Sequence, residues 1–349
     1  MTAEPLLTVA DLTVDYGRRR STRALRALDG VSLEVLPGEV VGLVGESGSG
    51  KSTIARAILG LAPVAAGRIT FAGKDITHAS FRERRILAAD LQAVFQDPTS
   101  SLNPSRTIGN TLAEPLLAQH RRPRAEVRER VATMLDRIGL AADAADRYPG
   151  QFSGGQRQRI SIARALMLSP KLVICDEVVS ALDLSVQAQI LNLLRDLQDD
   201  DGLSYLFISH DLQVVRHLCD RTVVLYRGRV VESGPSAVVS SRRAHPYTDA
   251  LHLAAPVPDP RVQRARREAM PESAAADTAA APAGGCVYST RCGYAIDRCR
   301  TENPPLRDVG DVRVACHRYP EWLTEKTGRH TPPADQTPAV HSGSAHEAT

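Results

Sequence analysis

A chain of 349 residues, 43% of them hydrophobic, holds enough apolar matter for one large packed domain and one small one. Its net charge of +3 is spread along the chain, which excludes the concentrated basic footprint of a dedicated nucleic-acid binder. The opening MTAEPLLTVADLTVDYG lacks the apolar run of a signal peptide, and no stretch approaches the ~18 apolar residues of a spanning helix, so a cytosolic chain with reduced cysteines is expected.

From Leu6 to Leu36 the pattern alternates in bursts, LLTVADLTVDY and LDGVSLEVL, predicting strands joined by the basic loop Gly17 to Arg23. VVGLV is a tight strand before a glycine-rich turn, and STIARAILGLA after it has helical spacing. RITFAG and LQAVF read as further strands, while QDPTSSLNPS is too rich in Pro, Ser and Asn to be anything but loop. Thr107 to about Met167 reads as a helical insertion, with the charged run RRPRAEVRERVATMLDRIGL in its middle. KLVICDE is then a buried strand, and in VQAQILNLLRDLQ the residues Val186, Ile190, Leu193, Leu194 and Leu197 share one helical face. YLFIS and RTVVLY close the sheet pattern, so strands alternating with helices predict a mostly parallel α/β core. PVPDP and AAADTAAAPAGG, within 256–285, are linker chemistry. A cysteine-bearing segment follows over 286–325, and 326–349 cannot bury enough apolar surface to fold.

GESGSGKS, Gly45 to Ser52, fits the phosphate-loop pattern G-x-x-x-x-G-K-[ST] between a predicted strand and a predicted helix. Glycines let the backbone curl so that its N–H groups face phosphate oxygens, and the helix N-terminus adds its positive end. The residues expected to hold nucleotide here are Gly45, Glu46, Ser47, Gly48, Ser49, Gly50, Lys51, Ser52 and Thr53. Lys51 would reach the β and γ phosphates, and Ser52 would bind Mg²⁺. A bare flexible Gly/Ser loop is the competing reading, and the strand before and helix after argue against it. LVICDE supplies an acid, Asp176, at the tip of a buried strand where it can meet Mg²⁺. Glu177, next along, would point elsewhere and could polarise an attacking water as general base. Two acids at a strand end are usually just solvated, and only their pairing with the loop at Gly45 favours chemistry. In FSGGQRQR, Ser153 and Gln156 can form a capping box, while Gly154 and Gly155 leave a helix N-terminus bare enough to touch a second phosphate.

FSGGQ, with Ser153 lying 23 residues before Asp176, resembles the signature of ABC-type ATPases. Along 5–255, Gln96 in VFQDP resembles that family's Q-loop glutamine, SALD at Ser180 to Asp183 its D-loop, His210 in FISHD its switch histidine, and Tyr16 its adenine-stacking aromatic. The chain departs from the commoner pattern at Phe152, usually Leu, and at Val178, often Pro; neither contacts nucleotide in the family. The resemblance implies a P-loop ABC nucleotide-binding domain with a RecA-like core, an antiparallel β subdomain and a helical subdomain over about 97–168. It implies ATP and Mg²⁺, with Ser52, Gln96 and Asp176 around the ion, and catalysis by Glu177, His210 and Lys51. The signature of one cassette covers the nucleotide of another, so a partner ATPase is implied. Separate membrane permeases are implied as well, with QDPTSSLNP as their docking segment.

QDPTSSLNP, DEVVSALDLSVQAQILNLL and AHPYTDAL resemble the oligopeptide and dipeptide importer ATPases, the first two being closest to the F-type subunit; Glu272 to Gly285 lacks much of their usual proline-rich run. That branch implies peptide import powered from the cytoplasmic face of the membrane. Its partners would be a D-type paralogous ATPase, two permeases and an extracytoplasmic binding protein, with no nucleic acid. Nickel importers are close relatives and remain an alternative. A soluble ABC ATPase of DNA repair or translation would call for a coiled-coil insertion or a second cassette, and a nucleotide kinase would leave FSGGQ unexplained.

Cys286, Cys292, Cys299 and Cys316 follow the spacing C-x5-C-x6-C-x16-C. Two disulfides do not suit a reduced compartment, zinc knuckles of the C-x2-4-C kind are missing, and ferredoxin runs also differ, so spacing leaves the metal open. The resemblance implies a [4Fe-4S] cluster on these four cysteines with a structural role, Zn²⁺ being the alternative.

Overall fold

The computed structural model describes residues 4–17, 25–96, 101–119, 123–180, 182–255, 261, 263–264 and 284–329. The basic loop expected before Arg23, the first part of the docking segment QDPTSSLNP, most of the linker and the tail from residue 330 lie outside the described residues.

The central sheet is built on short apolar strands: β3 (Val40–Val44), β6 (Leu91–Val94), β7 (Leu172–Asp176), β8 (Ser204–Ser209) and β9 (Arg221–Tyr226). They lie parallel in the order β9-β3-β8-β7-β6. Successive side chains on a strand point to opposite faces, and here both faces are covered. Val40 and Val44 of β3, Val173 and Cys175 of β7, and Tyr205 and Phe207 of β8 go to one core, filled from the other side by the helices Gly154–Leu166 and Leu184–Asp201. Val41 and Leu43, Leu172 and Ile174, and Leu206 and Ile208 go to the other core. That core is closed by the helix Lys51–Ile58 and by a separate antiparallel sheet, β2-β1-β4-β5, made of β1 (Leu7–Tyr16), β2 (Leu25–Val35), β4 (Ala66–Phe71) and β5 (Lys74–Asp75). Burial on both faces is why these strands read as continuous apolar runs, whereas β1 alternates.

Between β6 and β7 the chain makes the helices Ile108–Gln119 and Arg124–Arg137 and two short 3₁₀ turns before Gly154. Val127, Val131, Met134 and Leu135 form the buried stripe of the helix Arg124–Arg137, and Arg124, Glu126, Arg128 and Glu129 take the outer face.

The sheet does not stop at RTVVLY, as the sequence pattern suggests. β10 (Arg229–Pro235) turns back antiparallel on β9, and the hairpin β11 (Arg307–Val309) and β12 (Val312–Val314) adds to β10 through Glu232 opposite Val314 and Ser233 opposite Arg313. The cysteine segment therefore does not stand on its own. Its Val312, Val314, Tyr288 and Trp322 share a third core with Val224 and Tyr226 of β9 and with Val239 and Tyr247. Apolar poverty within the segment is compensated by apolar surface lent by the main domain. The closing helix Glu321–Arg329 runs into the stretch expected to be tail. Trp322 is fully buried there and donates its indole N–H to the Ala244 carbonyl at 2.8 Å.

Glu232 is the buried polar centre of this junction: its two carboxylate oxygens accept the Ala244 and His245 backbone N–H groups, each at 2.8 Å. Burial pushes its carboxyl up to about 7, against those hydrogen bonds, which favour the ionised form.

Candidate functional site

The residues singled out in the sequence come together at the carboxyl ends of the parallel strands, where open α/β sheets place their ligands. Val44 pairs with Ser209 and Asp176 with Ile208, so the loop after β3, the acids ending β7 and His210 after β8 leave the sheet side by side. Gln96 follows β6, whose Val94 pairs with Cys175.

The loop 45–50 is shaped by two close approaches. A side chain on Gly45 would stand 2.2 Å from the Leu225 carbonyl oxygen, so only glycine lets β3 pass so close to β9 and turn. Gly50 caps the helix Lys51–Ile58 at φ 111°, a left-handed conformation that glycine adopts without strain. The helix thus starts immediately after the loop with its N-terminus facing it.

Lys51 is buried and donates from Nζ to the Gly45 carbonyl at 2.7 Å and the Glu46 carbonyl at 3.0 Å. Its ammonium lies 3.9 Å from Glu177 Oε1. Burial lowers the Lys51 pKa, opposed by the charges of Glu177, Asp176 and Glu46. Ser52 donates its hydroxyl to Asp176 Oδ1 at 3.1 Å, and burial raises the Asp176 carboxyl against that bond. The adjacent acids therefore go to different partners. Glu177 is turned by a positive φ of 52°, a costly backbone for a non-glycine residue, held in place by its N–H on the Ile208 carbonyl at 3.0 Å. Gln96 is exposed and donates Nε2 to Ser180 Oγ at 3.4 Å, and Ser180 Oγ in turn donates to the Glu177 carbonyl at 2.9 Å. His210 is exposed at the bend that ends β8, and Tyr16 is half-buried at the end of β1.

Ser153, Gly154 and Gln156 are exposed at the start of the helix Gly154–Leu166, with Gly155 half-buried. Ser153 and Gln156 form the expected capping box, at 3.0 and 3.3 Å. No hydrogen bond or ion pair among the described residues joins 153–156 to the loop 45–53.

Two residues at the loop were not singled out as site residues. Tyr247, within the quoted AHPYTDAL, accepts the Glu46 N–H on its hydroxyl at 2.8 Å, and Arg291 holds the Glu46 carboxylate at 2.8 and 3.2 Å. The only local signal for Tyr247 is the turn-forming HPY at a helix start, and Arg291 has none.

The four late cysteines gather at the third core, Cys286, Cys299 and Cys316 buried within it and Cys292 half-buried against it. Burial raises three of these thiols, Cys292 to about 12, Cys316 to about 11, and Cys286 above its ordinary value. Neighbouring thiols push the same way. Among the described residues, no group of three or more His, Cys, Asp or Glu side chains is arranged to hold a metal ion, which does not bear out a formed [4Fe-4S] or Zn²⁺ ligand set. Also among the described residues, no helix is long and apolar enough to cross a membrane.

Comparison with known proteins adds a family to this geometry. Residues 28–180 match the family described as ABC transporter, and residues 231–299 match Oligopeptide/dipeptide transporter, C-terminal region. A putative peptide import ATP-binding protein of Brucella ovis is 50% identical over 309 residues, covering 88% of this chain and 96% of that protein. The oligopeptide transport ATP-binding protein OppF of Salmonella typhimurium is 46% identical, covering 89% and 95%. The di/tripeptide transport ATP-binding protein DppF of Pseudomonas aeruginosa is 45% identical, covering 92% and 99%. Among solved structures, the ATP-binding cassette MJ0796, a dimer in a post-hydrolysis state bound to ADP and Pi, superposes with a TM-score of 0.60 at 30% identity, covering 66% of this chain and 98% of that one. The structure of cbiO1 from Clostridium perfringens, part of the ABC transporter complex cbiONQ, gives 0.62 at 30% identity, covering 69% and 92%.

Proposed function

This chain belongs to the ATP-binding subunits of ABC transporters, in the branch with the oligopeptide/dipeptide C-terminal region, and from that premise we propose that it hydrolyses ATP to drive import of di- and oligopeptides. The observation that carries the site assignment is the 3.1 Å bond from Ser52 to Asp176 beside the Lys51–Glu177 pair, which unites the phosphate loop with the strand-end acids.

The hydroxyl of Ser52, the carboxylate of Asp176 and the amide oxygen of Gln96 are hard oxygen donors of the kind Mg²⁺ takes, and the Ser52–Asp176 contact brings two of them together. Mg²⁺ bound there would neutralise charge on the phosphates. The loop N–H groups from Gly45 to Thr53 and the ammonium of Lys51 bind and orient the β and γ phosphates. Glu177 accepts a proton from the attacking water as its oxygen bonds to the γ phosphorus and the bond to the β-phosphate oxygen breaks. His210 and Gln96, at the ends of the two strands on either side of β7, flank the γ phosphate, and Tyr16 stacks on adenine. Ser153, Gly154, Gly155 and Gln156 are presented outward on the helical insertion, and they cover the nucleotide held by a second ATPase subunit. Dimerisation with a D-type paralogue, two permeases docked over QDPTSSLNP, and a substrate-binding protein complete the machine at the cytoplasmic face of the membrane.

Alone the chain is expected to hydrolyse ATP slowly, and in the assembled transporter hydrolysis is expected to rise when peptide-loaded binding protein is added. ATPase assays on the reconstituted complex check this. Absence of stimulation by every peptide in a length-graded set counts against peptide as cargo.

A [4Fe-4S] cluster on Cys286, Cys292, Cys299 and Cys316 is supported by the gathering of all four at one apolar core rather than along an exposed tail. Loading requires the sulfurs to close up from their present arrangement and the thiols to give up their protons, as thiolate ligation always does. No step of ATP hydrolysis runs through this group. Protein purified without oxygen is expected to be brown, with broad absorption at about 400 nm. Colourless protein carrying zinc replaces iron with zinc, and protein with neither metal overturns the site.

A further inference from the structure

The cysteine lobe reaches the phosphate loop at Arg291 and Glu46. Arg291, next to Cys292, is 10% exposed and grips both carboxylate oxygens of Glu46, the second residue of the loop, at 2.8 and 3.2 Å. Such a planar two-point fork fixes direction as well as distance, which a lysine cannot reproduce. The guanidinium is itself held, lying 5.9 Å over the ring of buried Tyr288 and 6.0 Å over that of Tyr226, and the Arg291 N–H closes a turn on the Tyr288 carbonyl at 3.0 Å. Glu46 is fastened at its other groups too. Its backbone N–H goes to the Tyr247 hydroxyl at 2.8 Å, and its carbonyl accepts from Lys51 Nζ at 3.0 Å. The residue that carries the Lys51 contact is thus clamped from outside the cassette core by a lobe 245 positions away in sequence.

We propose that Arg291 is a positioning residue for the nucleotide site: through Glu46 it holds the loop 45–51 in its phosphate-receiving curve, so that the C-terminal lobe sets the affinity for ATP. This rests on the reading of that loop as the ATP site. A loop held ready before the phosphates arrive contributes equally to ground and transition states, so its loosening raises KM and leaves kcat.

The test uses the full chain in the assembled transporter. Arg291→Ala is expected to raise the KM for ATP about tenfold with kcat within about twofold, and Arg291→Lys, which keeps the charge and loses the fork, to fall between it and the wild type. Glu46→Gln leaves the lobe untouched, so it decides the matter even where Arg291→Ala fails to fold. It is expected to raise KM in the same way, and the double variant to be no worse than either single one. Hydrogen exchange at the amides of 45–50 is expected to quicken in each variant, while exchange across 307–316 stays unchanged. Wild-type KM and wild-type loop exchange in Glu46→Gln, or strictly additive effects, overturn the proposal. A wild-type complex that does not hydrolyse ATP overturns the ATP reading instead, and loop exchange still decides whether the strut exists.

Discussion

Lys51→Ala is expected to abolish ATP hydrolysis by the assembled complex, and Glu177→Gln to keep ATP binding while slowing turnover roughly a hundred- to ten-thousandfold, the usual weight of a general base. The reasons differ. Lys51 is buried against the loop carbonyls, so alanine removes a buried cation at the proposed phosphate site and unfastens the loop from within. Glutamine at 177 keeps the side chain's size but takes no proton, so nucleotide stays trapped between two cassettes. Its backbone strain at φ 52° is unchanged by the substitution, which makes the loss attributable to the carboxylate. Steady-state hydrolysis and trapped-nucleotide measurements on the complex check both, and near-normal turnover in Glu177→Gln removes that residue from the catalytic role.

Trp322→Ala is expected to cost about 3–5 kcal/mol of stability, the range for deleting a fully buried large aromatic. The indole is 0% exposed, its ring lies 5.3 Å from that of Tyr294, and its N–H serves the buried carbonyl of Ala244. Trp322→Phe keeps most of the packing and is expected to lose about 1 kcal/mol for the missing hydrogen bond. Urea unfolding followed by far-ultraviolet circular dichroism reads both, since each variant removes the single tryptophan of the chain and its near-ultraviolet signal with it. Equal midpoints for the alanine variant and the wild type would mean that the lobe contributes nothing to the fold.

The nucleotide-site motifs were legible because phosphate chemistry forces donors into short contiguous stretches. GESGSGKS, LVICDE and FISHD each carry their own strand and turn, and parallel pairing then brings the three strand ends together. The helical insertion was legible for a similar reason, its buried Val127, Val131 and Leu135 recurring at helical spacing. What escaped was long-range. RVVESGP carries little strand signal because Glu232, Gly234 and Pro235 are poor strand residues; within the strand, Glu232 finds two backbone N–H groups from the segment after it. Strands of three residues such as β11 and β12 are too short to show a period. Arg291 and Glu46 announce nothing about each other in sequence, since an arginine beside a cysteine is ordinarily a solvated charge. The four cysteines were legible as a group but not as a ligand sphere, because spacing along a chain does not fix where sulfurs settle in a core.

The pairing of β12 with β10 has a consequence for synthesis on the ribosome. Roughly 80 residues separate the two strands, so at about 5–20 residues per second β10 emerges on the order of 4–16 seconds before its partner can exist. Throughout that interval the nascent cassette carries an open strand edge, with Val231, Tyr226 and Val239 lacking the lobe that covers them in the finished chain. The cassette is therefore born sticky at one margin, and its exposure to chaperones and to misassembly is timed by the length of the segment that leads to the cysteines.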